Sequence, residues 1–326
     1  MSEQKQNNQS SGGFRTSIGG QALIEGIYMR GPDKQSIVVR DQNGELVVKT
    51  EELKLTKEHY PILGIPFIRG AFAFLGTMVE GVKALMYSAD FYPDEDESSE
   101  PSKFEQWLEG HVPSKTLDKL IVAFATIVAV AFSVGLFFLL PTVVTSLIKL
   151  AVPINVLGQN VVEGIIRIAI FLAYLILISK MKDIRRVFSY HGAEHKTIFC
   201  YERGLELTVE NVRKMPRHHP RCGTSFLFVV IILAILCYSV LFSIFTPPNT
   251  LVRILLQLLL IPVVVGIAYE INHYVGRHDN AVTKIITAPG LWLQNFTTFE
   301  PDDSMIEVGI ESLKQVIPEQ KGKDTW

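Results

Sequence analysis

The chain has 326 residues, 48% of them hydrophobic and 20% charged, with a formal net charge of -2. Near-neutrality excludes a polybasic nucleic-acid binder and an acidic tail protein, and three cysteines, Cys200, Cys222 and Cys237, are too few and too scattered for a disulfide framework. Both ends read as polar chain, so the apolar excess lies in the middle, which excludes a uniformly soluble globule.

In chain order, residues 1–13 form a polar tail without the apolar stretch of a cleaved signal peptide. Residues 14–60 read as a small cytoplasmic α+β segment built on a β-hairpin. Ser36 to Arg40 and Glu45 to Lys49 are strand-like and are joined by Asp41-Gln42-Asn43-Gly44, whose Asn-Gly step favours a tight turn. The glycine-rich stretch Gly19 to Pro32 holds neither a Walker lysine pattern nor GxGxxG and reads as a tight packed turn. Residues 61–92 are apolar but carry Arg69, Glu80, Lys83 and Asp90, which favours an interfacial or re-entrant helix over a lipid-exposed span. Residues 93–116 follow as an acidic linker.

The membrane block comes next, as about four transmembrane helices in a mainly α polytopic protein. Leu120 to Ile148 holds no charge and exceeds the roughly 20 residues that cross a bilayer core. Ile165 to Ser179, interrupted only by Arg167, one turn after Glu163 and able to pair with it, gives a second span at about 163–181. These two helices occupy 117–181. Thr224 to Val252 and Ile254 to Tyr269, separated by Thr246-Pro247-Pro248-Asn249-Thr250, supply the third and fourth within 224–271. Lys and Arg gather between the second and third spans, from Lys180 to Arg221, whereas the opposite loops offer little beyond Lys149, Arg167 and Arg253. This bias predicts a bacterial plasma-membrane protein, in contact with the lipid bilayer, with the N-terminus, the 182–223 loop and the 272–326 segment all cytoplasmic.

The 182–223 loop carries the densest chemistry. His191-Gly192-Ala193-Glu194-His195 is an H-x-x-E-H pentapeptide, and on a helix its two imidazoles project from one face as a pair of metal ligands. The same spacing occurs in inverzincins, where the glutamate activates water. His219 and Cys222, at H-x-x-C spacing, would complete a tetrahedral site for a divalent metal, zinc first, while Glu202 and Glu206 are competing oxygen ligands. The alternative is a set of solvated or phosphate-contacting histidines in a basic loop. Three protein ligands leave a catalytic position open and four close the site as a structural clamp; the sequence supplies enough for either. His218 is expected to be exposed, Cys200 and Cys237 to be packing residues, and His59 and His111 stand alone. Thr208 is placed to cap a short helix that folds the loop back. Glu270 or His273, beyond the fourth span, is placed to approach the histidines, and Asp302-Asp303 to cap a helix from Met305 to Val316.

Four stretches carry a family resemblance: Gly19-Gly20-Gln21-Ala22 through Met29-Arg30-Gly31-Pro32, Tyr190-His191-Gly192-Ala193-Glu194-His195-Lys196-Thr197, His219-Pro220-Arg221-Cys222-Gly223-Thr224-Ser225-Phe226, and Pro289-Gly290-Leu291 through Glu300-Pro301-Asp302-Asp303. From about Ile18 to Val316 the chain resembles the YqhQ-like bacterial membrane-protein family of unknown function. The resemblance implies a multipass envelope protein and a predicted metal-dependent enzyme, with no reaction attached. The leading expectation is a metal-dependent hydrolase at the cytoplasmic interface, with His191 and His195 as ligands, His219 or Cys222 completing the site and Glu194 as general base. The second is a non-catalytic assembly or regulatory factor for another membrane protein complex, such as the protein-export machinery, with a structural metal. A transporter ranks third, because the spans hold almost no ionisable residues. No nucleic-acid partner is expected.

Overall fold

The computed structural model describes residues 14–53, 65–92 and 114–325, with backbone alone for 114–120 and 122. The 1–13 tail, most of the acidic linker, His59 and His111 lie outside the described residues. Four antiparallel strands, β1 (Gly19–Leu23), β2 (Gly26–Arg30), β3 (Lys34–Arg40) and β4 (Leu46–Glu52), form a meander in sequence order. The β3–β4 turn falls at Asp41 to Gly44, where Gly44 adopts φ 88° and Asp41 accepts from the Asn43 and Glu45 amides. The glycine-rich stretch read as a packed turn is itself the β1–β2 hairpin, turning at Ile24-Glu25 with Glu25 at φ 49°. Its glycines hid the strand signal, because they contribute no apolar alternation.

Helix α1 (Ile68–Ala89) follows, then α2 (Ser114–Val134), which runs through a π-helical turn at Gly135–Leu139 into α3 (Leu140–Ala151). The π turn has a local cause. Pro141 lacks the N–H that would bond the Phe137 carbonyl one turn back, and the Arg167 Nε fills that vacancy at 2.9 Å. Helices α4 (Val156–Ile178), α5 (Lys182–Glu202), α6 (Val209–Arg213), α7 (Gly223–Ile244), α8 (Thr250–Arg277), α9 (Ala281–Thr297) and α10 (Asp303–Lys314) complete the chain. Among the described residues, four helices are long and apolar enough to cross a membrane: Ala123–Ala151, Val156–Ile178, Gly223–Ile244 and Thr250–Arg277. The second starts seven residues before the expected 163, since Asn155 caps it by accepting from the Gly158 amide.

Within the 182–223 segment, read as a histidine-rich connection, Lys182–Glu202 is a 21-residue helix, α5, and it carries the H-x-x-E-H pentapeptide. It is the spine of a polar module at one end of the bundle. Ile27, Met29 and Val38 on one face of the sheet pack with Tyr190, Ala193 and Ile198 of α5 and with Met305, Val308 and Leu313 of α10. Leu23 and Tyr28 on the other face meet Ala84 of α1. Thr208 caps α6 through the Asn211 amide, and Asp302 caps α10 through the Met305 amide. That helix covers 303–314 rather than 305–316. Glu270 does not approach the histidines: it pairs with Arg69 of α1, with Nη2 to Oε2 at 2.5 Å.

Close backbone approach holds α5 to the chain after α9. A Cβ at Gly192 would overlap the Phe299 carbonyl, whereas one at Gly19 would meet no atom within 4 Å. Gly192→Ala should therefore destabilise the purified protein by ~2 kcal/mol, since overpacking against a backbone atom at ~3 kcal/mol outweighs alanine's helix advantage of ~1 kcal/mol. Gly19→Ala should stay within ~0.5 kcal/mol. Equal denaturation midpoints for the two variants would contradict this packing.

Candidate metal centre

Helix α5 presents His191 and His195 one turn apart, with ring centroids at 4.3 Å. Cys222 comes from another part of the chain: it is the N-cap of α7, at the mouth of an apolar helix. One ligand atom from each of the three lies within 4.8 Å of the others, and His191 Nε2 is 3.1 Å from the Cys222 Sγ. Ligands at tetrahedral zinc distances stand about 3.5 Å apart, so the three groups are already at ligation range.

The hydrogen bonds on the far side of each ring fix which nitrogen is free. His191 donates from Nδ1 to the Thr297 carbonyl at 2.8 Å, and His195 donates from Nδ1 to the Arg217 carbonyl at 2.6 Å. Each carbonyl is an acceptor only, so both rings hold their proton on Nδ1 and turn the Nε2 lone pair toward the shared site. Gln294 of α9 secures the 219 segment from both sides, accepting from the His219 amide at 2.7 Å and donating to its carbonyl at 2.8 Å.

Burial opposes charge on His191, yet the Cys222 sulfur beside it prevails and holds the imidazole up to about 9. Burial likewise opposes a thiolate, but His191 and His195 keep Cys222 well below the ordinary thiol range. The α7 N-terminus adds its positive end. Without a metal the His191 Nε2 and the Cys222 sulfur thus share a proton between them, and that proton holds the place a cation takes up when it frees the Nε2 lone pair. Glu194, 5% exposed, is raised above the usual carboxylate range by burial, against the pull of His195 and His191. It accepts from the Gly20 amide of β1 at 3.0 Å. A cavity of about 120 Å³ opens beside these groups, bordered by Gly19, Gly20, Glu194, Arg221 and the three candidate ligands. Among its described lining residues Glu194 is the sole carboxylate.

His219 is brought near but is not part of the cluster. Its ring centroid is 5.5 Å from that of His195, and its Nε2 faces Glu202 at 3.7 Å. Burial pushes it down to about 4, so it is neutral. Glu202 is engaged by Arg221 and by the Thr16 amide, and Glu206 is exposed, so neither carboxylate joins the three. His218 is half-buried rather than exposed, and Cys200 packs with Val212 and Ile306. No sequence motif marks Gly20, Arg217, Gln294 or Thr297, because three of them act through backbone atoms that carry no sequence signal. Only the glutamine, in an apolar helical stretch, offered a hint.

A family model described as a protein of unknown function (DUF1385) matches residues 65–319. The chain is 34% identical over 310 residues to the uncharacterized protein YqhQ of Bacillus subtilis (strain 168), covering 92% of each. No solved structure matches. With four apolar helices, a polar module at one end and these two matches, the chain belongs to the DUF1385 family of YqhQ-like membrane proteins.

Proposed function

We propose that the protein is a metal-dependent hydrolase working at the cytoplasmic face of a bacterial plasma membrane, with His191, His195 and Cys222 as ligands and Glu194 as general base. The observation that carries this reading is the pair of Nδ1–carbonyl bonds, which leaves two Nε2 lone pairs and one sulfur converging beside a cavity. Zinc suits a set of two imidazoles and one thiolate. Three ligands rather than four leave a position open, and His219, neutral and turned to Glu202, does not close it. The ion would supply Lewis acidity in the cavity.

The chain's own groups do the rest. Glu194 stands in the cavity with a carboxyl raised by burial, suited to accept a proton from water and return it to a leaving group. The Gly20 amide fixes the Glu194 carboxyl in place. Because Cys222 is the last residue before the α7 span, the substrate meets the site at the membrane face. The cytoplasmic assignment rests on the Lys and Arg residues of the 180–221 segment. The sheet, α5 and α10 pack as one module, so the N-terminal strands and the C-terminal helix share that side. Helix α1 belongs at the interface: Ile68, Phe72, Leu75, Val79, Val82 and Met86 form one exposed apolar stripe.

Three ligands predict a specific pattern of metal loss. His191→Ala, His195→Ala and Cys222→Ser should each weaken zinc binding by more than about 100-fold, the upper range for an outer-shell change, while His219→Ala keeps the ion. Cobalt-loaded protein should show sulfur-to-metal charge-transfer absorption that Cys222→Ser abolishes. Zinc lost only with His219→Ala would contradict the ligand set.

Glu194→Gln separates catalysis from structure. The variant should bind zinc at wild-type stoichiometry and fail to complement a strain lacking the gene. Full complementation by Glu194→Gln, with His195→Ala inactive, would overturn the hydrolase and leave a metal-stapled assembly or regulatory factor.

A further inference from the structure

The second polar centre lies inside the membrane block, at the end remote from the histidines. Glu163 and Arg167 of α4 and Arg253 and Gln257 of α8 are all at least nine-tenths buried, with Asn160 beside them. Glu163 is saturated. Its Oε1 accepts from Arg167 at 2.9 Å and Gln257 at 2.7 Å, its Oε2 accepts twice from Arg253, at 3.1 and 2.8 Å, and the Thr142 hydroxyl lies 3.0 Å away while bonding the Phe138 carbonyl at 2.8 Å. Four N–H groups on one carboxylate fix Glu163 as the tie between α4 and α8.

The charge does not close. One carboxylate faces two guanidiniums, so the buried centre carries a formal charge of +1. The other carboxylate within the four candidate spans, Glu270, is engaged by Arg69 elsewhere. Phe138, Tyr238 and Phe242 lie within 4.3 to 5.4 Å of the guanidinium carbons, but their rings bring no countercharge. An unbalanced charge in a low-dielectric interior is costly unless a counterion joins it. A second observation points the same way. The Asn160 Nδ2 is buried with no acceptor, and Asn160, Glu163, Arg167, Tyr238, Arg253 and Gln257, with Ile235, line a cavity of about 10 Å³, the space of one water-sized species. The N-terminal ends of α4 and α8, whose dipoles favour negative charge, lie at this end of the bundle.

We propose that this centre binds a single halide-sized monovalent anion, chloride in physiological salt, between Asn160 and the Arg167–Arg253 pair. The site, a cavity of about 10 Å³, suits a monatomic anion better than phosphate or a carboxylate-bearing lipid headgroup. It depends on charge balance in the bundle and not on the metal centre, so each stands or falls alone.

The test is anion-dependent melting of the full-length protein in detergent, exchanged into sodium gluconate and titrated with sodium chloride or bromide at constant ionic strength. The melting temperature should rise and saturate with either halide and stay flat with sulfate. Asn160→Ala should raise the half-saturating halide concentration about tenfold or more, the worth of one hydrogen bond to a charged group. Arg253→Gln, which neutralises the excess charge, should melt at the same temperature with and without halide. Identical wild-type melting in gluconate, chloride and bromide would overturn the proposal and leave the cavity to a water molecule. A halide response unchanged in Asn160→Ala and Arg253→Gln would overturn it as well, by placing the anion elsewhere.

Discussion

Two backbone carbonyls, those of Thr297 and Arg217, decide what the histidine pair can do. An imidazole with a free Nδ1 can take either tautomer and has no fixed plane, whereas each of these rings is pinned at one nitrogen and presents the other. The pinning atoms come from the end of α9 and from the connection between α6 and α7, so the site exists only when three separate stretches meet. Phe299 bonds back to the Phe188 carbonyl of α5, Gly192 lets that stretch come close, and Gln294 grips residue 219. The polar module is in this sense built around the rings it orients.

Much of that architecture was legible in the residues. The four candidate spans follow from long apolar runs, and the three clustered groups follow from the H-x-x-E-H spacing and an H-x-x-C pair. What was not legible has physical causes. Gly19 to Pro32 forms a hairpin because glycines permit strand pairing while erasing the alternation that announces it. The 182–203 segment is helical although its mean character is polar, since only one face of α5 is needed to bury Tyr190, Ala193 and Ile198. Of the H-x-x-C pair, Cys222 enters the cluster and His219 does not, because Glu202 and Arg221 hold the ring in a separate polar contact. A pentapeptide cannot report a partner contributed by a distant carbonyl.

The near-neutral composition conceals two buried polar centres with different solutions to the cost of desolvation. At the module end, sulfur, imidazoles and a carboxyl share charge in a compact group beside a cavity, an arrangement suited to a cation and to proton transfer. At the other end, Glu163 is saturated by hydrogen bonds and two guanidiniums are stacked on aromatic faces, with one donor left over. Arg167 belongs to both local and global structure: it completes the carbonyl that Pro141 leaves bare and ties α4 to that π turn. Buried charge in these helices therefore organises their packing rather than lining an open path, which fits poorly with a transporter.

X-ray absorption at the zinc edge, on full-length protein purified without chelator, tests the metal centre most directly. The account predicts one zinc per chain with a first shell of one sulfur at about 2.3 Å and nitrogen or oxygen scatterers at about 2.0–2.1 Å, including the outer-shell signature of two imidazoles. Absence of stoichiometric metal, or a shell with no sulfur, would contradict it.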